Sequence, residues 1–383
     1  MNRRKPPRGW KAEDRERRVQ WLKESTGVDY SKNLFDPEEE LEGIIEQHIG
    51  YTSIPTAVAS PLVVHGDYAN GEFKLPVCTV EGALVYSLTR GMLATSVMGI
   101  NTYYISQHLS RAPAFFFEDM EVTRKFCDFV DAHYEEIKKS AEATSSYAKL
   151  IEIKKIIFYR SVVLELFFTT GDAAGQNMVT IAAKGVMDYV TKHFDVRECF
   201  VESGLNSDKK ASYRSLLHGR GHFVIARSVI KEETIVRLLN ATSKKLVQSF
   251  QRMASFNALT GLFGVQLHFS NTLAAIYLAM GQDVACTAEN ALGTLFIGEA
   301  QDCEGAEIIV RLPSLTVGTV GGGTRLLSQK RNLRVIGCDS GENSSKKLAE
   351  IIAATTLCLE LSLFCAVIDD TFSDAHKRYG RKQ

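Results

Sequence analysis

The 383-residue chain reads as an α+β protein in which a small α/β unit interrupts a larger mixed α/β unit. Three observations carry that reading. At about 150 residues per domain the length gives two or three domains, and a hydrophobic fraction of 45% supplies their cores. In residues 156–170 Val162, Leu164, Leu166 and Phe168 recur at period two, the pattern of a strand with one buried face. A glycine loop follows, Gly171-Asp172-Ala173-Ala174-Gly175-Gln176-Asn177-Met178, and then Met178, Ile181, Gly185, Val186 and Tyr189 repeat at helical spacing.

Taken in order, residues 1–45 are dense in charge, with Arg15 to Arg18 and Asp36 to Glu40, and suit a solvated helical segment. Residues 46–111 open the larger unit. Gly50 to Gly66 reads as a turn and then a strand through Val63-Val64, and small and apolar residues dominate Val80 to Ser106. Residues 112–202 form the small unit: a polar helical stretch, Lys125 to Ala148, then the strand, glycine loop and helix. Residues 203–365 resume the larger unit. They hold a strand over His222 to Ile230, a helix over Glu232 to Met253, an apolar helix from Asn271 to Met280 ending at Gly281, and a strand over Ile308 to Thr319 running into three glycines. The apolar run Ile351 to Ile368 contains Glu360, Ser362 and two threonines, so it is expected as a buried helix and not a membrane span. Residues 366–383 end in a cationic tail.

Composition narrows the classes. Lys and Arg total 45 against 45 Asp and Glu, which argues against nucleic-acid binding through bulk charge. Eight cysteines lie far apart with no C-x-x-C pair, supporting neither a metal cluster nor a dithiol. They suit reduced, buried thiols and a cytoplasmic protein. The basic start, Met1 to Asp14, lacks the apolar stretch of a secretory signal.

Several segments can carry chemistry, each with a plainer alternative. The Gly171–Gly175 loop lets backbone approach a phosphate at a helix N-terminus, or it is a tight turn with Asp172 as a cap; it is not the G-x-G-x-x-G fingerprint. Gly318-Thr319-Val320-Gly321-Gly322-Gly323-Thr324 serves a ligand or a close strand crossing. Asp208-Lys209-Lys210 is a reactive lysine loop or a solvated one. Glu81, among apolar neighbours, would be a general acid if burial raised its pKa, or a structural carboxylate. Asp283 follows Gly281-Gln282 at a helix end, where an Asp often caps. His376 is a catalytic or merely solvated tail histidine.

In combination and in order, these segments resemble the 3-hydroxy-3-methylglutaryl-CoA reductase family, from about Thr26 to Arg381. Val80-Glu81-Gly82-Ala83-Leu84-Val85 is similar to the family's catalytic glutamate segment, Ser207-Asp208-Lys209-Lys210 to its Asp-Lys-Lys loop, and Gly281-Gln282-Asp283 to its Gly-Gln-Asp motif. The Gly318–Thr324 run matches a family signature, and Gly171–Met178 its cofactor loop. The resemblance implies four-electron reduction of an acyl-CoA thioester to an alcohol with NADPH or NADH. It implies Glu81, Lys209, Asp283 and His376 as catalytic residues, with Asp283 joining Lys209 and Glu81 in one network. Arg111, Ser203, Asp208, Lys210, Arg252 and Asn271 would bind substrate. Ser145, Ser146, Tyr147, Asp172, Ala174, Gly175, Gln176, Asn177, Gly321, Gly322 and Arg381 would bind the nicotinamide cofactor. It further implies a ferredoxin-like small domain at 112–202, a catalytic tail at 366–383, and a homodimer or dimer-based oligomer.

The sequence also departs from the family. Thr56-Ala57-Val58-Ala59-Ser60-Pro61-Leu62 replaces a Gly-Val-Ala-Gly-Pro-Leu run, and His222-Phe223 follows Gly219-Arg220-Gly221 where Lys-Ser or Lys-Arg is usual. Gly264-Val265-Gln266-Leu267-His268 is a shortened version of a glycine-rich run, Arg252 replaces a Lys, and Ser146 replaces an Arg that would grip a 2′-phosphate. These departures leave two alternatives beside the mevalonate-forming reductase: a reductase of another acyl thioester, and a catalytically silent homologue acting as a binding partner.

Overall fold

The computed structural model describes residues 5–9, 11–31 and 41–369. Helix α1 (Ala12–Thr26) precedes an antiparallel pair, β1 (Thr56–His65) and β2 (Asn70–Cys78), then α2 (Leu84–Thr95) and β3 (Ile100–Arg111). The small unit follows as β4 (Ala114–Phe116), α3 (Met120–Ala132), α4 (Tyr134–Glu142), β5 (Lys149–Phe158), β6 (Ser161–Thr169), α5 (Gln176–His193) and β7 (Glu198–Phe200). The larger unit resumes with α6 (Tyr213–His218), β8 (Gly221–Lys231), α7 (Glu232–Leu239), α8 (Ser243–Thr260), α9 (Phe269–Met280) and α10 (Thr287–Asn290). It closes with β9 (Thr294–Glu299), β10 (Gly305–Leu315), α11 (Leu327–Val335) and α12 (Ser344–Ile368).

Strand β3 is the hinge of the architecture. Its first part pairs with β8, from Asn101 opposite Arg227 to His108 opposite Gly221. Its last residues, Leu109 to Arg111, pair instead with Phe168 to Leu166 of β6. The main sheet order is β7-β4-β6-β3-β8-β10-β9, with β5 beside β6 and β1 beside both β2 and β3. One strand therefore feeds two hydrophobic cores. The smaller packs Phe115, Phe126, Leu164, Leu166 and Phe168 against Val179 and Val186 of α5. The larger surrounds α12.

By length and composition α12 could cross a membrane, yet 89% of its apolar window is buried inside the fold. The burial explains its two interior glutamates. Glu350 accepts the backbone N–H groups of Asp67, Tyr68 and Ala69 at the β1–β2 turn. Glu360 accepts those of Leu267 and His268, both at 2.7 Å, at the start of α9. Desolvation pushes the Glu360 carboxyl up to about 7.

Several expected elements resolve differently. The strand expected over 156–170 is the second arm of a hairpin, because β5 has a half-exposed face that blurs its periodicity. In α5 the inward residues are Val179, Ala182, Ala183, Val186 and Val190, while Ile181 is exposed, so the true stripe is offset from the one expected. The polar stretch 125–148 holds parts of two helices, α3 and α4. The helix expected over 232–253 breaks at Asn240, whose φ of 53° ends α7 before Thr242 caps α8.

Candidate active site

The loop 206–210 follows the small unit and is held under β3. Its backbone is left-handed at two non-glycine positions, Ser207 (φ 60°) and Lys209 (φ 55°). Such residues persist only where their surroundings over-determine them. Asn206 donates to the Ser110 carbonyl at 2.9 Å. The Asp208 carboxylate lies between Arg111 (3.1 Å) and Arg220 (3.2 Å). The Lys209 N–H donates to Glu289 Oε2 at 3.2 Å. This grip aims the Lys209 side chain at Asp283, with Nζ and Oδ2 2.7 Å apart. The hydrogen bond from Lys209 to the Asp283 carboxylate raises the lysine's pKa, so the ammonium form is favoured. Both side chains are 43% exposed, which leaves the charge open to a ligand.

Each residue of Gly281-Gln282-Asp283 has a distinct task. Gly281 ends α9 with a φ of 68°, and a Cβ there would strike the Gly323 backbone. Gln282 clamps Gly318 from both sides, its Nε2 donating to the carbonyl (2.8 Å) and its Oε1 accepting the N–H (2.9 Å). Asp283 takes Lys209 on one oxygen and the Ala285 N–H on the other. The clamp brings the two glycine loops together. Thr319 N–H donates to the Asp172 carbonyl at 2.8 Å, and Ala173 bridges Val320. A Cβ at Gly318 would meet the backbone of Ala173 and Ala174.

These paired loops fit a phosphate-bearing cofactor. Gly175 (φ 82°) starts the 18-residue helix α5, whose first turn carries neither an acidic residue nor a side-chain cap. Its first N–H groups and dipole therefore favour an anion. Gly321 (φ 80°) and Gly322 (φ 52°) face space a side chain would fill. Asp172 turns its carboxylate towards the start of α12. Its carboxylate accepts Asn343 N–H (3.1 Å), Ser345 N–H (2.8 Å) and the Ser345 hydroxyl (2.8 Å), capping α12 across the fold. Gln176 turns inward to Arg220 (2.7 Å), while Asn177 stays exposed. On the turn after α4, Ser145 accepts the Tyr147 N–H at 3.2 Å. Ser146 and Tyr147 are exposed there.

Glu81 is not buried. It lies exposed before α2, and Oε1 takes the Asn271 amide at 3.4 Å. Asn271 is in the first turn of α9, whose start Glu360 fixes. The expected network of Asp283, Lys209 and Glu81 is thus two pairs, Lys209–Asp283 and Asn271–Glu81, with no hydrogen bond or ion pair joining them among the described residues. Arg111 is buried and already engaged by Glu202 (2.7 Å) and Asp208. Ser203 accepts the Leu205 N–H (3.3 Å), and Lys210 Nζ reaches back to the Asp208 carbonyl (2.9 Å). Arg252 is exposed on α8 and makes no hydrogen bond or ion pair to this group among the described residues. His376 and Arg381 lie outside the described residues.

Two further groups went unread in the sequence. Arg220 and Glu289 are both completely buried and paired at 2.9 and 3.1 Å. A signal existed in Gly219-Arg220-Gly221. Both glycines have positive φ and pack against the backbone of Pro313 and Leu315, which seats the arginine inside.

Two of the sequence departures, at His222 and Ser60, are interior features. His222 is buried in β8, bonded to the Tyr104 hydroxyl (2.7 Å) and to the Val317 carbonyl (3.2 Å), and burial lowers its pKa to about 4. Ser60 is fully buried in β1.

Comparison with known proteins agrees with the geometry. A family model described as hydroxymethylglutaryl-coenzyme A reductase matches residues 13–381. The 3-hydroxy-3-methylglutaryl-coenzyme A reductase of Methanocaldococcus jannaschii is 34% identical over 376 residues, covering 95% of this chain and 92% of that protein. That of Pyrococcus horikoshii is 37% identical over 355 residues, covering 90% and 86%. Among solved structures, the NADPH-bound class II enzyme of Streptococcus pneumoniae superposes with a TM-score of 0.68 at 16% identity, over 85% of this chain and 88% of that one. The chain belongs to the hydroxymethylglutaryl-coenzyme A reductase family of oxidoreductases.

Proposed function

We propose that the chain reduces 3-hydroxy-3-methylglutaryl-CoA to mevalonate and free CoA, with Lys209 as the electrophile. The observation that carries this is the Lys209–Asp283 pair: an ammonium kept charged by a 2.7 Å carboxylate yet 43% open, beside two paired glycine loops. Reduction of a thioester carbonyl places negative charge on oxygen, and a fixed ammonium stabilises that charge. Glu81, oriented by Asn271, delivers a proton to the aldehyde oxygen in the second reduction. His376 in the tail protonates the departing CoA thiolate. Asp208 and Lys210, with Ser203, Arg111, Arg252 and Asn271, form the acyl-binding surround.

Ala174 to Asn177, Gly321 and Gly322, together with Ser145 to Tyr147 and Arg381, would hold the nicotinamide cofactor, which when bound would supply the hydride for each of the two reductions. Asp172 acts on that site indirectly, by tying the cofactor loop to α12. Residues 112–202 serve as the ferredoxin-like nicotinamide domain, 46–111 and 203–365 as the substrate domain, and 366–383 as the catalytic tail. Exposed Val80 and Val284 flank Glu81 and Asp283, with Phe256 and Leu259 exposed at the end of α8. That apolar surface supports a homodimer completing the site. The free cysteines, most of them buried, support a cytoplasmic address.

Because His222 and Ser60 point into the interior, these departures give no reason to change the substrate. The test is product identity: the chain with 3-hydroxy-3-methylglutaryl-CoA and NADPH or NADH should yield mevalonate by mass spectrometry. Turnover of other acyl-CoA thioesters with none of this one would overturn the substrate assignment.

A further inference from the structure

The interior pair Arg220–Glu289 sits between the two loops that the reaction must bring into register. Glu289 spends its carboxylate on four contacts from three donors. Arg220 Nη1 reaches both oxygens, the Thr316 hydroxyl donates to Oε1 at 3.2 Å, and the Lys209 backbone N–H donates to Oε2 at 3.2 Å. Arg220 turns its other nitrogens outward from the pair. Nη2 donates to the Gln176 side chain at 2.7 Å, Nε reaches the Ser110 carbonyl at 3.4 Å, and Asp208 lies 3.2 Å from Nη1. Gln176 is the first residue of α5 and closes the cofactor loop. Lys209 carries the oxyanion-stabilising ammonium and holds a left-handed backbone that needs an external tether. A fold needing only stability could fill this space with apolar side chains, since a buried ion pair contributes little net stability.

We propose that Arg220 and Glu289 are positioning residues for the reduction, a single buried link that sets the Lys209 amine relative to the cofactor loop. The claim rests on the assignment of Lys209 made above. Glu289 fixes the lysine's backbone, Arg220 fixes Gln176, and the forked contact of Arg220 Nη1 with both Glu289 oxygens transmits one position to the other. Neither touches substrate.

The test uses the full chain and needs no turnover for its first readout. Acetic anhydride labels free amines, and the ratio of Lys209 to exposed Lys192 labelling, read by peptide mass spectrometry, reports how firmly Asp283 holds the ammonium. In Glu289→Gln the ratio should rise about fivefold as the ion pair loosens. Its kcat with 3-hydroxy-3-methylglutaryl-CoA should fall about 100-fold with KM little changed, because the loss is one of alignment. The double variant Arg220→Gln/Glu289→Gln buries no orphaned charge and should recover melting temperature while retaining the altered labelling and kcat. Folded Glu289→Gln with wild-type labelling overturns the proposal, as does a double variant in which labelling and kcat return to wild type. A wild-type chain that fails to consume the thioester would sink the activity assignment alone, with the labelling ratio still deciding the positioning claim.

Discussion

Replacing Glu360 by Gln tests whether the interior of α12 constrains the site electrostatically. The carboxylate is completely buried and its two oxygens each take one backbone N–H, from Leu267 and His268. Burial nevertheless raises its pKa from 4.5 to about 7, so the folded chain holds a proton that the unfolded chain releases. Between these values the native state binds more protons than the unfolded one, and stability from this group must fall as pH rises. At about 1.4 kcal/mol per pH unit, the contribution fully present below 4.5 diminishes by about 3 kcal/mol by pH 7 and then levels off. Gln keeps the shape but cannot titrate, and it offers one acceptor where two amides point, an offset of about 1–3 kcal/mol. The stability of Glu360→Gln minus that of wild type should therefore start negative at pH 4.5 and climb by about 3 kcal/mol to pH 7. Equilibrium urea unfolding of both proteins across that range, followed by circular dichroism, measures it, and other titrating groups cancel in the difference. A difference that stays flat within about 0.5 kcal/mol, or falls with pH, would refute the reasoning.

Three other outcomes follow from the geometry. Lys209→Ala should lower kcat by at least about 100-fold with the melting temperature nearly unchanged, since an exposed ion pair contributes about 0–1 kcal/mol to folding; turnover near wild type would remove Lys209 from the reaction. His222 carries the opposite sign to Glu360. Its pKa is lowered to about 4, so its stabilisation is complete above the ordinary 6.5 and is lost as pH falls from there towards 4. His222→Gln should flatten that acid limb by about 3 kcal/mol in urea unfolding. Ser146→Arg should raise the NADPH-over-NADH ratio of kcat/KM by about tenfold, through a charged fork placed on the exposed turn proposed to receive the cofactor's far end. An unchanged ratio would place the 2′-phosphate elsewhere.

How far the sequence could be read depended on the range of each interaction. Strand β6 was legible because Val162, Leu164, Leu166 and Phe168 make one face wholly apolar and its hairpin partner β5 is local in sequence. The β5 arm was not, since Glu152, Lys154 and Lys155 interrupt its pattern. The break at Asn240 was hidden because no glycine or proline marks it. In the site, the motif residues Lys209, Asp283 and Glu81 stood out by type and order, yet their partners did not. Asp172 caps a helix 171 residues further along the chain, and Arg220 finds Glu289 across 69. Pairings at such separation leave no local periodicity. The same holds for Gln282, whose clamp on Gly318 is invisible until the loop after β10 has folded against the end of α9.

The measurement that bears most directly on the central claim is stoichiometry. The purified chain would be given 3-hydroxy-3-methylglutaryl-CoA with NADPH and NADH in parallel, while nicotinamide oxidation and free thiol are followed together. The account predicts two nicotinamides oxidised per thiol released, as four-electron reduction at one Lys209 site requires. Thiol release without oxidation, or one oxidation per thiol, would contradict it.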